Sequence, residues 1–138
     1  MAIYGTVEHT QRLTPTMMRV VFGGDGLADF AVTDRTDQYV NALFLPDDAG
    51  YTAPFDVEQA RSAAPEQRPR GRRYTVRAWD EAARRLTIDF VVHGDVGYAG
   101  RWAQAARPGD TLQLLGPSGG YRPDPDAAWY LFAGDESA

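Results

Sequence analysis

Cysteine is absent from the 138-residue chain, and so is lysine. Without cysteine there is no disulfide, no thiolate metal ligand and no cysteine nucleophile. Without lysine there is no Schiff base, and all 14 basic residues are arginines. No apolar run approaches the roughly 18 residues that suggest a membrane-crossing helix. The start, Met1-Ala2-Ile3-Tyr4-Gly5-Thr6, has neither the basic nor the apolar region of a secretory signal. His, Asp and Glu never fall at metal-ligand spacing, and no Ser-His-Asp or paired-carboxylate arrangement can be argued. A basic surplus is missing too: the net charge is −5 and the pI about 4.9, which argues against a nucleic-acid surface. Together these absences predict a cytoplasmic protein with no membrane span and no nucleic-acid partner.

What is there suits one globular core, with 43% hydrophobic and 24% charged residues. Val7 to Thr10 and Met17 to Phe22 read as paired strands with Leu13-Thr14-Pro15 between them. Gln38 to Leu45 is a third strand, with Val40, Ala42 and Phe44 on one face. Residues 47–70 have weak periodicity and hold one candidate helical turn within 56–64. A connection of that length is expected to be functional or the least ordered part of the domain. Leu86, Ile88, Phe90 and Val92 alternate with less apolar residues, as in a half-buried strand, and Asp80-Glu81-Ala82-Ala83 makes the hairpin before it. Ala99, Trp102, Ala103 and Ala106 share one helix face, and Pro108-Gly109 ends that helix. Thr111 to Leu115 is another strand, which with one at residues 71–77 makes six, and it is followed by the loop Gly116-Pro117-Ser118-Gly119-Gly120. Six strands with one late helix predict an all-β, six-stranded antiparallel Greek-key barrel.

Two stretches carry chemistry. Gly71-Arg72-Arg73-Tyr74-Thr75-Val76-Arg77 contains the spacing Arg-x-Tyr-Thr. On a strand, Arg72, Tyr74 and Val76 share one face and Arg73, Thr75 and Arg77 the other. A cation beside an aromatic plane suits a flat heteroaromatic ligand with a phosphate tail. Taken alone, the residues describe a surface strand with scattered arginines equally well. The second stretch runs from Phe90 through His93-Gly94-Asp95-Val96-Gly97 to Trp102, a strand, a glycine-rich turn and a helix start. The free N–H groups and dipole at a helix start favour an anion.

In this order, and with Leu13-Thr14-Pro15, Met18-Arg19, Leu115-Gly116-Pro117 and Gly134-Asp135-Glu136-Ser137-Ala138, the chain resembles the siderophore-interacting proteins. These are ferric-siderophore reductases of the ferredoxin-reductase-like superfamily. The resemblance implies an FAD-binding barrel over residues 1–126. It also implies that 127–138, with the apolar run Ala128 to Ala133, open a truncated α/β domain for NAD(P)H. FAD would pass electrons from NAD(P)H to siderophore-bound Fe(III). No side chain is expected to act as acid or base.

In that reading Tyr74 stacks on the isoalloxazine, Thr75 meets its N5 or O4 edge and Arg72 pairs with the pyrophosphate. Val91 lines the site through its backbone, and His93 lies against the adenine or pyrophosphate. Gly97, Tyr98, Ala99 and Gly100 form the phosphate turn, where the small Ala99 and Gly100 let oxygens approach the backbone. The family usually carries proline and serine where this chain has Tyr98 and Gly100, so one hydroxyl donor is lost. Arg77 belongs to the family motif or is structural, and the 116–120 loop is a plain turn or a lining element. Two alternatives stay open: a flavin reductase or electron-transfer module with another acceptor, and a flavin-binding module without turnover.

Overall fold

The structure, a computed structural model, describes residues 3–94 and 97–134. One antiparallel sheet holds seven strands: β1 (Ile3–Thr14), β2 (Met17–Gly23), β3 (Tyr39–Phe44), β4 (Arg70–Thr75), β5 (Ala78–Asp80), β6 (Arg85–Val91) and β7 (Thr111–Ser118). Their spatial order is β4-β3-β7-β1-β2-β6-β5. The last strand in sequence therefore inserts between the first and the third, a Greek-key return.

The six strands expected become seven because the single strand expected over 71–77 switches partner. β4 pairs with β3 and β5 pairs with β6, and only Val76 and Arg77 separate them. Val76 N–H donates to Gln38 O at 2.8 Å, and Arg77 N–H donates to Thr87 O at 3.0 Å. The two ends of the sheet are thus two halves of one run, and the sheet curls until they meet. Tyr74 on β4 lies 4.4 Å, ring centre to ring centre, from Phe90 on β6.

Alternation fills the inside. Val40, Ala42 and Phe44 from β3 and Leu86, Ile88 and Phe90 from β6 are buried, with Val20 and Phe22 from β2 and Leu112 and Leu114 from β7. Helix α2 (Tyr98–Ala105) plugs one end. Its Ala99 and Ala103 are buried, as is Ala106 just beyond it. Trp102 lies 5.8–6.1 Å from the rings of Phe22, Phe44 and Phe90, on the core face the spacing predicted. β1 is longer than the strand expected over 7–10, because its first part pairs with β7 and its remainder with β2.

Two expectations need correction. Residues 47–70 are folded and tied down. Helix α1 (Val57–Arg61) is capped by Asp56, whose carboxylate accepts from Gln59 N–H at 2.8 Å. The buried Gln113 side chain accepts from Phe55 N–H at 3.2 Å, and Thr111 Oγ1 donates to Ala53 O at 3.0 Å. Local periodicity is weak here because anchorage comes from β7, far away in sequence. The apolar run from Ala128 forms no strand within 128–134, and Trp129, Leu131 and Phe132 are 76%, 80% and 75% exposed. A strand buried on both faces needs neighbouring strands and covering helices, and the described residues offer it none. Asp135 to Ala138 of the carboxy-terminal match lie outside the described residues, as do Asp95 and Val96 of the glycine-rich turn.

Candidate functional site

Register decides what β4 shows to which side. Tyr74 faces Val40, Arg72 faces Ala42 and Arg70 faces Phe44 across the β3–β4 ladder. Directly opposed residues share a face, and all three partners point into the core. Arg70, Arg72 and Tyr74 therefore line the concave side of the sheet at its edge. Arg73, opposite Asn41, lies on the convex side with its guanidinium 5.1 Å from the Tyr39 ring centre.

Tyr74 is half-buried. It packs at 4.4 Å on Phe90 and edge-on at 6.2 Å to Phe44. Burial pushes its phenol pKa up, and the nearby Arg72 guanidinium pulls in the opposite direction. Arg72 is exposed, and among the described residues its side chain donates to the adjacent Gly71 O at 2.9 Å. Arg70 is half-buried, with its guanidinium carbon 3.9 Å from the centre of the Tyr98 ring. Among the described residues, neither Arg70 nor Arg72 has a carboxylate within ion-pairing distance. Thr75 turns its side chain to the convex face. Val76 is hydrogen-bonded to Gln38, so the next pair, Thr75 with Tyr39, is of the non-bonded type. Thr75 N–H consequently points away from β3, toward the opening.

The second stretch arrives beside this face. Gly97 caps α2 with φ 90°, a left-handed conformation that favours glycine, and among the described residues no side chain caps the helix start. The Arg70–Tyr98 contact joins that start to β4. His93 is exposed just past β6, and Val91 ends the strand half-buried. Ala99 and Gly100 are buried, so their small size also serves the packing of α2. A Cβ on Gly100 would lie 3.3 Å from Val91 O and 3.4 Å from Val92 Cα. Gly100 lets α2 sit directly on the backbone after β6, and only its N–H remains for an anion.

Two motif positions are structural. Arg19 grips Asp89 through two 2.7 Å bonds on the convex face, and Arg77 approaches the same carboxylate at 3.8 Å. In the 116–120 loop, β7 continues to Ser118. The Asp37 carboxylate accepts from Gly120 and Tyr121 N–H at 2.9 and 2.8 Å, which lowers its pKa. A cavity of about 490 Å3 lies under the 47–70 connection, lined by Tyr51, Phe55 and Ala60 among others, away from the Arg72–Tyr74 face.

Arg70 escaped the sequence reading, which began its face at Arg72. The signal was present: Arg70 stands two residues earlier in the same alternation. Among the described residues no group of His, Asp and Glu could hold a metal ion, and no helix is long and apolar enough to cross a membrane.

Comparison with known proteins agrees with this layout. The model of the siderophore-interacting FAD-binding domain matches residues 6–121. An uncharacterized Mycobacterium tuberculosis protein is 43% identical over 135 residues, which cover 96% of this chain and 48% of that protein. The NADPH-dependent ferric-chelate reductase of Escherichia coli is 37% identical over 133 residues, covering 96% of this chain and 51% of the reductase. The crystal structure of a siderophore utilization protein from T. fusca superposes with a TM-score of 0.72 at 38% identity, over 90% of this chain and 48% of that one. The chain spans about half the length of the curated relatives it matches. With the match running from β1 through β7 and across both chemical stretches, the chain belongs to the siderophore-interacting FAD-binding domain family.

Proposed function

We propose that this domain holds FAD in a ferric-siderophore reductase that draws electrons from NAD(P)H. Cofactor and chain fit on the chemistry of the donors. Two guanidiniums that meet no carboxylate among the described residues lie on the concave face of β4, next to a half-buried aromatic ring and the start of α2. Arg72 holds the pyrophosphate, where a planar fork matches phosphate oxygens. Tyr74 gives the flavin ring a plane to lie on, itself braced by Phe90. Thr75 N–H donates at the ring edge. The α2 N–H groups from Gly97 to Gly100 take the remaining phosphate oxygens, while Val91 and His93 border the adenosine side.

The flavin supplies the chemistry that links a hydride donor to a one-electron acceptor. The protein binds, orients and keeps the ring against Tyr74. The name of the Escherichia coli relative supports NADPH as donor and a ferric chelate as acceptor, and a nicotinamide donor implies a cytoplasmic site of action. The remainder of the whole protein, beginning near residue 127, would bring the nicotinamide.

The observation that carries this reading is the shared concave face of Arg72 and Tyr74 beside the α2 start. Titration of the domain with FAD should quench flavin fluorescence, and FAD should bind more tightly than FMN. Tyr74→Phe should keep this binding because the plane survives, whereas Tyr74→Ala should weaken it about tenfold. In the whole protein under anaerobic conditions, NAD(P)H should bleach the flavin and a ferric siderophore should restore its colour, with ferrozine trapping Fe(II). Restoration by quinones or oxygen but by no ferric chelate would assign a different acceptor. Failure of the domain to bind FAD at all would remove the reading.

A further inference from the structure

The geometry points to Arg70 as a second phosphate-binding arginine, held in place by the ring of Tyr98. This rests on the proposed FAD site and extends it to two residues outside the Arg-x-Tyr-Thr spacing.

Arg70 and Arg72 are alternate residues on one strand, about 7 Å apart at the backbone. Both lie on the concave face, opposite Phe44 and Ala42. A guanidinium beside a buried phenylalanine is costly unless something holds it. Here the holder is Tyr98, the first residue of α2, with the guanidinium carbon 3.9 Å from its ring centre. Cation–π attraction acts through the ring face and leaves the N–H edges of the guanidinium for hydrogen bonding. A carboxylate partner would have occupied those edges, and none lies within reach among the described residues. Tyr98 also sits directly after Gly97, so it fixes the Arg70 charge beside the N–H groups that open the helix.

Gly100, in the first turn of α2, sits against the Val91–Val92 backbone and offers a phosphate only its N–H. Arg70 brings a charged donor to the same helix start from the neighbouring strand. Tyr98 is thus a positioning residue, and Arg70 is the residue that touches phosphate.

Arg70→Ala, Arg70→Gln, Tyr98→Phe and Tyr98→Ala are titrated with FAD and with riboflavin, which has no phosphate, and the melting temperature of each is recorded. Both Arg70 variants should weaken FAD about tenfold and leave riboflavin unchanged. The difference from wild type should shrink at about 1 M salt. Tyr98→Phe should bind FAD like wild type. Tyr98→Ala should weaken it, and adding Arg70→Ala to Tyr98→Ala should cost little more. FAD affinity of wild-type strength in both Arg70 variants overturns the inference, as does an equal loss for riboflavin. A silent Tyr98→Ala overturns the positioning role. Wild type that binds neither flavin would instead remove the underlying site.

Discussion

Two groups of arginines occupy opposite faces of the same barrel wall. On the convex face Arg19 and Arg77 converge on Asp89, and the charges are consumed inside the protein. On the concave face Arg70 and Arg72 meet an aromatic ring, backbone and solvent, but no carboxylate among the described residues. Arg72 and Arg77 belong to one continuous run, so residue type does not separate them. Their parity in the strand does, because Arg70 and Arg72 share the concave face while Arg77, like Arg73, takes the convex one. The switch of strand partner at Val76–Arg77 then lays Arg77 over β6, where Asp89 waits. A charge satisfied at home stabilises the barrel, whereas one left without a partner is available to a ligand.

The comparison can be broken from either side. Arg72→Ala should have the largest effect, a loss of FAD affinity of about 1.5–3 kcal/mol, which is roughly tenfold to a hundredfold. Its melting temperature should barely move, because the side chain is exposed and bonds, among the described residues, to its neighbour. Equilibrium titration and a thermal melt on the same sample separate the two. Asp89→Asn should do the reverse. The Arg19–Asp89 pair is 29% and 18% exposed at its side chains, so screening limits its value to about 1 kcal/mol. For a domain of this size that is a drop of a few degrees in melting temperature, with FAD affinity retained. Loss of FAD binding in Asp89→Asn would mean that the two faces are not independent.

The smallest effect is in alkali. Burial raises the Tyr74 phenol above its ordinary 10.0. The folded state therefore keeps the proton more tightly than the unfolded chain. The contribution is complete below pH 10.0 and is lost as pH rises through the folded value. Wild type should lose stability against Tyr74→Phe over that window in denaturant titrations run at successive pH values. Parallel curves for the two proteins above pH 10.0 would show that Tyr74 is less buried than its packing on Phe90 implies.

Much of the site was legible because strands alternate. Val40, Ala42 and Phe44 were expected on one face of β3 and are buried there. Arg72 and Tyr74 were expected to share a face, and their register opposite Ala42 and Val40 gives them one. The helix face of Ala99, Trp102 and Ala103 followed from spacing alone. At Gly100 the sequence is ambiguous, because a small residue at a helix start looks the same whether it makes room for an anion or for backbone. The 3.3 Å approach to Val91 O reveals the second role. The 47–70 connection was misread for another reason: a side chain such as Gln113 that bonds a distant backbone N–H leaves no periodic trace.

The sequence by itself determined which side chains are alternate neighbours, where the late helix starts and what anion chemistry the arginines bring. Those are properties of adjacent residues and of backbone geometry, and they hold in any surroundings. Tertiary structure alone decided that the Arg70–Asp80 run would change partners midway and that Arg77 would meet Asp89 while Arg72 would not. It also decided that Arg70 would lie on Tyr98. Each of these depends on curling a sheet until its ends meet. That closure is set by the packing of Phe22, Phe44, Phe90 and Trp102 inside it, contacts between residues far apart in the chain that no local pattern encodes.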